Sequence, residues 1–253
     1  MNKTFEPIAV YFDVDGTLFE PEHLLHEVVS ISLLDNGAPE HYNPEWCIHK
    51  FMGKHPEQIC AFVNEEENTT ISHDSFKTGM VRAFKKIANA RPEEMIACDG
   101  AAEFLEYLTS YNIPVGVVSN GLQKNVEIAL SSTGLIDFFD KGEIITPCLG
   151  HGLEAKPSPI MLLELANVHD LNNRASEIFY IGNSSADMGA AKNANMIAVG
   201  YTGAEKKERA GFHKMSLEAA GADYVYNSFE EIKKKLLPEL ENSTSCKFSQ
   251  DLG

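Results

Sequence analysis

Ile8-Ala9-Val10-Tyr11-Phe12-Asp13-Val14-Asp15-Gly16-Thr17-Leu18 is the most informative segment of the chain. Its first five residues, Ile8 to Phe12, are apolar or aromatic and rich in types that favour extended backbone. Such a run reads as a strand buried on both faces. It breaks off at a carboxylate. Residues two apart in an extended chain point to the same side, so Asp13 and Asp15 face one small volume, and Gly16 lets the backbone turn away. Two carboxylates at the end of a buried strand repel each other and need an offsetting partner. A hard divalent cation is the simplest one, because Mg²⁺ takes oxygen ligands and is often held by one or two carboxylates together with a substrate phosphate. An ordinary solvated turn would use the same residues, so the rest of the chain has to discriminate.

From about Glu22 to Ala97 the pattern is helical. Leu24, Val28 and Ile31, then Ile59, Phe62 and Val63, then Phe76, Met80, Phe84 and Ile87 recur near a helical period. His55-Pro56-Glu57 and Ser72-His73-Asp74 suit helix starts, and Asn36-Gly37 and Met52-Gly53 suit helix stops. Trp46, Tyr42 and Phe51 are expected in the packing of this insertion. After Cys98-Asp99-Gly100, helices and short apolar runs alternate: Ala101–Tyr111, Val115–Val118, a helix through Val126 and Leu130, a weak strand Glu143–Thr146, Pro159–Val168, Ile178–Ile181, Ala186–Asn193, Met196–Val199, a short helical region, Tyr224–Tyr226 and Phe229–Leu237. This alternation predicts an α/β fold with a Rossmann-like parallel sheet covered by helices on both faces. The expected units are an α/β core from residues 1–18 and 98–240, an all-helical insertion over 19–97, and a loose polar tail over 241–253.

At 253 residues, with 43% hydrophobic and 23% charged residues, the chain has the composition of a soluble globular protein. A formal net charge of -16 disfavours nucleic acid and anionic membrane as partners. The N-terminal stretch lacks the features of a secretory signal and no run reaches transmembrane length, so a cytoplasmic location is expected. Cys47, Cys60, Cys98, Cys148 and Cys246 are widely spaced without a C-x-x-C pair, and are expected to be reduced.

Ligands of open parallel sheets bind beyond the carboxyl ends of the strands. Two further runs end there in small polar residues: Val115–Val118 in Ser119-Asn120-Gly121, and Ile178–Ile181 in Gly182-Asn183-Ser184-Ser185-Ala186-Asp187. Within the latter, a serine at the N-cap and Asp187 in the first turn would also suit a plain helix start. Taken in order, Asp13-Val14-Asp15-Gly16-Thr17-Leu18, Val118-Ser119-Asn120-Gly121, Lys156-Pro157-Ser158-Pro159 and Gly182 to Asp187 resemble the four motifs of the haloacid dehalogenase superfamily. The helical insertion resembles its first type of cap, and the resemblance spans Ile8 to about Leu237.

That resemblance implies Asp13 as a nucleophile forming an aspartyl-phosphate, and Asp15 as the acid and base for leaving oxygen and water. It implies Lys156 as the charge that lets two anions approach. Ser119, with Asn120 and Thr17, is the expected substrate-binding set. Mg²⁺ is the expected cofactor, with Asp13, Asp15, Asn183 and Asp187 as its ligands. Phosphatase members usually carry Asp where this chain has Asn183, and Asp187 is expected to compensate. Asp15 favours phosphate ester hydrolysis over dehalogenation, since an alkoxide benefits from a proton and a halide does not. The implied enzyme is a phosphoric monoester hydrolase acting on a small phosphorylated metabolite, such as phosphoglycolate, a sugar phosphate or a nucleoside monophosphate. Alternatives are a phosphomutase of the same superfamily or a catalytically impaired binding module. The expected assembly is a monomer or homodimer. His23, His26, Lys50, Lys54 and His55 are polar residues of the insertion, none assigned as a substrate determinant.

Overall fold

A computed structural model of the chain describes residues 7–20, 22–51, 54–147, 152–205 and 207–237. The expected loose tail, the helix stop at Met52-Gly53, Cys148 and Cys246 lie outside the described residues. Six strands form one parallel sheet: β1 (Ala9–Phe12), β2 (Val115–Val118), β3 (Ile144–Ile145), β4 (Ile178–Gly182), β5 (Ile197–Tyr201) and β6 (Tyr224–Tyr226), in the order β3-β2-β1-β4-β5-β6. β1 lies at the centre, with Tyr11 opposite Gly116 of β2 and Tyr180 of β4.

Between β1 and β2 the chain forms α1 (Glu22–Asp35), α2 (Pro44–Phe51), α3 (Pro56–Glu67), α4 (His73–Ala90) and α5 (Ala101–Ser110). His55 caps α3 reciprocally with Gln58, and the Ser72 side chain caps α4, at the starts expected from sequence. Ser32 Oγ of α1 donates to the Phe76 carbonyl of α4 at 2.7 Å, and Phe19 meets Phe84 edge to face at 6.0 Å, tying the loop after β1 to this helical layer. α2 was not expected as a helix. Its eight residues span barely two turns, too few for a period to show; its Trp46 ring stacks edge-on to Tyr42 at 4.6 Å and to Phe51 at 5.3 Å.

The later helices are α6 (Gln123–Ser132), α7 (Ile160–Val168), α8 (Ser185–Asn193), α9 (Lys207–Ala219) and α10 (Phe229–Leu236). β5 runs to Tyr201, past the expected end at Val199, because Gly200 interrupts the apolar run without interrupting the pairing. One sheet face buries Val10, Phe12, Val117, Phe179 and Ile181 in a core continuous with α1, α4, α5, α6 and α10. The other buries Tyr11, Val118, Tyr180 and Ala198 against α7, α8 and α9. On that second face the Tyr11 hydroxyl lies 2.9 Å from His169 Nδ1, and His169 Nε2 lies 2.7 Å from Glu143 Oε1, joining the end of α7 to the sheet. Cys47, Cys60 and Cys98 are buried and unpaired. Among the described residues no helix is long and apolar enough to cross a membrane.

Gly116 sits where α7 approaches most closely: a Cβ there would come within 2.8 Å of Leu165 and 3.2 Å of the Glu143 carbonyl. Gly116→Ala is therefore expected to destabilise the protein by about 1–3 kcal/mol through overpacking. Urea denaturation checks this, and an unchanged midpoint would show that α7 stands off the sheet.

Candidate active site

Because β1, β2 and β4 run parallel, their carboxyl ends share one edge. Asp13, Ser119 and Asn183 follow those ends directly. Gly16, with φ of 78°, turns the chain back, and a Cβ there would collide with the Asn183 carboxamide, so the first and fourth segments touch only because this residue is glycine.

Lys156 enters from the segment before α7. Its Nζ lies 2.7 Å from Asp13 Oδ1 and 2.6 Å from Asp187 Oδ1. It also reaches the Val118 carbonyl and the Tyr180 hydroxyl, each at 3.0 Å. An ammonium has three protons, so these four acceptors share them. The lysine side chain is 3% exposed and that of Asp187 is 0% exposed. Burial by itself would lower the Lys156 pKa, but the two carboxylates more than offset it and hold the lysine above its ordinary value. Asp13 is pushed above the usual carboxylate range, first by burial and then by Asp187, while Lys156 pulls it back. Burial, then Asp187, keep Tyr180 well above the ordinary phenol range and hence neutral.

One expectation changes here. Asp187 is no free metal ligand: Oδ1 takes Lys156 and the Tyr180 hydroxyl, and Oδ2 takes the Ser184 N–H at 2.9 Å and the Ser184 hydroxyl at 2.5 Å. It is the far anchor of the lysine and, with Ser184, the capping box of α8. Thr17 is buried, and its hydroxyl has no hydrogen-bond partner among the described residues. The Asn120 carboxamide pairs with the Lys156 backbone, accepting from the N–H at 2.8 Å and donating to the carbonyl at 3.2 Å. It positions the lysine segment, and its main-chain N–H is the group expected to meet a ligand.

Ser119 accepts the Gly121 N–H at 3.0 Å, so its hydroxyl proton is left to donate elsewhere. Asp15 is half-buried, and a Cβ on Gly121 would lie 3.6 Å from its Oδ2 and 3.2 Å from Ser119 Oγ, so acid and hydroxyl both approach Gly121. Asn183 is half-buried, and its carbonyl accepts from His213 Nε2 of α9 at 2.5 Å. Tyr180 and His213 were not expected at the site. A tyrosine two residues before the end of a buried strand was the available signal for Tyr180; His213 had none. Among the described residues no three His, Cys, Asp or Glu side chains form a metal cage.

A carboxylate whose folded pKa is raised binds its proton more tightly folded than unfolded, so stability falls as pH rises above the unfolded pKa of about 4. In chelator, the unfolding free energy of the native chain relative to Asp13→Asn is expected to shrink steadily from about pH 4 to neutrality. Denaturant titrations at a series of pH values test it; a pH-independent difference contradicts the raised Asp13.

The family model for haloacid dehalogenase-like hydrolases matches residues 10–201. Validoxylamine A 7′-phosphate phosphatase of Streptomyces hygroscopicus subsp. limoneus is 26% identical over 192 residues, 76% of this chain and 84% of that protein. Phosphoglycolate phosphatase of Nitrosococcus oceani is 24% identical over 240 residues, covering 91% and 97%. The crystal structure of a HAD hydrolase, family IA, variant 3, from Entamoeba histolytica shares the fold with a TM-score of 0.71 at 20% identity, over 92% of this chain and 98% of that one. With four sequence segments meeting at one sheet edge and a family match over most of its length, the chain belongs to the haloacid dehalogenase-like hydrolase family.

Proposed function

We propose that the chain is a Mg²⁺-dependent phosphatase that hydrolyses a small phosphomonoester through an aspartyl-phosphate on Asp13. The observation that carries this reading is the buried Lys156 ammonium 2.7 Å from Asp13, with Asp15 two residues further on. The Asp13 carboxylate attacks phosphorus, and the bond from phosphorus to the leaving oxygen breaks as Asp15 gives that oxygen its proton. Ser119 donates to a phosphoryl oxygen. Water then attacks phosphorus, Asp15 takes its proton, phosphate leaves and the Asp13 carboxylate is regenerated. Lys156 lowers the repulsion between Asp13 and the incoming anion throughout. Helices α1–α4 act as the cap that keeps bulk water out.

The donors present fit Mg²⁺. Asp13 Oδ2 takes no hydrogen bond from the described residues, and with the Asp15 carbonyl and the Asn183 carboxamide oxygen it makes a set of hard oxygens. Bound there, the ion would stabilise charge on the phosphoryl group and align it with Asp13. With Asp187 committed to Lys156, this set carries one formal negative charge fewer than it would with Asp at 183. Buried, unpaired Cys47, Cys60 and Cys98 suit a reducing, cytoplasmic compartment. Asn183 also favours a second reading, binding of a phosphorylated metabolite without turnover; a broad panel of phosphate esters, assayed for both release of phosphate and binding, separates the two.

Asp13→Asn is expected to abolish hydrolysis of 4-nitrophenyl phosphate, a loss of about a thousandfold or more for a covalent nucleophile; retained turnover would remove the aspartyl-phosphate. Asn183→Asp is expected to lower the Mg²⁺ concentration for half-maximal activity by about tenfold. An unchanged or weaker metal requirement would take Asn183 out of the ligand set.

A further inference from the structure

Beside the catalytic edge, a cleft of about 760 Å³ opens between the helical insertion and the β2–β3 side of the sheet. It meets the site at Gly121, whose amide holds Ser119 and whose α-carbon faces Asp15. If Asp15 protonates the leaving oxygen, whatever that oxygen carries leaves past Gly121 into this space.

The composition of the cleft restricts what that group is. Leu122, Ile144, Ile145, Leu153 and Val168 give it an apolar wall. From the insertion come His55, Glu57 and Lys77, but Lys77 is already paired with Glu57 at 2.6 Å. His55 Nδ1 accepts the Glu57 N–H, and burial holds its pKa below the ordinary value, so it is neutral near pH 7. The remaining charges, Lys141 and Glu164, are opposite in sign and exposed. Among the described residues no buried, unpaired cation faces the cleft to receive a second phosphate or a carboxylate, while a volume of this size suits a ligand far larger than a two-carbon acid.

We propose that the preferred substrate is the phosphate monoester of a bulky, uncharged alcohol with a substantial apolar face, and that this cleft receives the alcohol. The inference rests on the phosphatase reading and narrows it, setting small anionic esters such as phosphoglycolate aside. Specificity here comes from burying the apolar face of the leaving group, not from pairing a second anion.

Three alkyl esters of similar intrinsic reactivity test it: 2-phenylethyl phosphate, ethyl phosphate and phosphoglycolate. The first is expected to show kcat/KM at least about tenfold above the other two. Gly142 borders the cleft, has no positive φ, and a Cβ there would meet only Val168 at 3.8 Å. Gly142→Phe should therefore fill the cleft without strain, and Val168→Trp is a second variant for the same purpose. Either is expected to lower kcat/KM for 2-phenylethyl phosphate at least about tenfold and to leave ethyl phosphate within about twofold. Preference for phosphoglycolate, or equal effects of the variants on both esters, overturns the cleft assignment while hydrolysis stands. Calorimetry with 2-phenylethylphosphonate, which cannot be hydrolysed, reads the cleft without turnover. Binding that Gly142→Phe removes, in a protein that hydrolyses none of the esters, supports the cleft and sinks the phosphatase reading instead.

Discussion

Three charges are buried together at the carboxyl ends of the central strands, and the site depends on their balance. Taking the carboxylates of Asp13 and Asp187 and the ammonium of Lys156 out of water costs several kcal/mol for each ion, and only close pairing with full hydrogen bonding offsets that cost. The structure supplies both. Lys156 has a carboxylate on either side and a carbonyl and a phenol to share its remaining proton, while Asp187 has every lone pair directed at a donor. Asp13 is the member left incomplete. It shares the lysine with a better-anchored competitor and keeps Oδ2 without a hydrogen bond from the described residues. Burial, then the neighbouring Asp187 carboxylate, raise the Asp13 pKa, and a cation bound at Oδ2 would offset both.

The lysine also reconciles an acidic protein with an anionic ligand. A formal charge of -16 repels phosphate on average, but at physiological ionic strength charges beyond a Debye length of about 8 Å are largely screened. What an arriving phosphate meets is local: Lys156, the Ser119 hydroxyl and the main chain at the strand ends. Overall charge acts at long range and is weakened by salt, while the groups at the strand ends set the local field.

The architecture was readable in the sequence because it depends on periodicity. Buried strands of a parallel sheet are short, continuous apolar runs, and parallel pairing forces all their carboxyl ends to one edge, so Asp13, Ser119 and Asn183 could be placed together without coordinates. What failed depends on distances that no period encodes. Asp187 was expected at a metal to make up for the missing charge of Asn183. The Ser184-x-x-Asp187 pattern already marked it as a capping carboxylate, and the hydroxyl of Tyr180, across the strand, completes its commitment to the lysine. α2 was missed for want of length, and His213 because its partner is a backbone carbonyl, which carries no residue signature.

Asn120 shows how closely positioning and chemistry are linked in this fold. Its carboxamide closes a two-point pair with the Lys156 backbone across 36 residues of chain, so the loop after β2 and the segment carrying the lysine are tied together. The same loop presents Ser119 to the site and Gly121 to the neighbouring cleft. In the proposed phosphatase, recognition of the leaving group and stabilisation of the phosphoryl group would then share one loop, the arrangement expected where binding energy remote from phosphorus is used to organise the reacting centre.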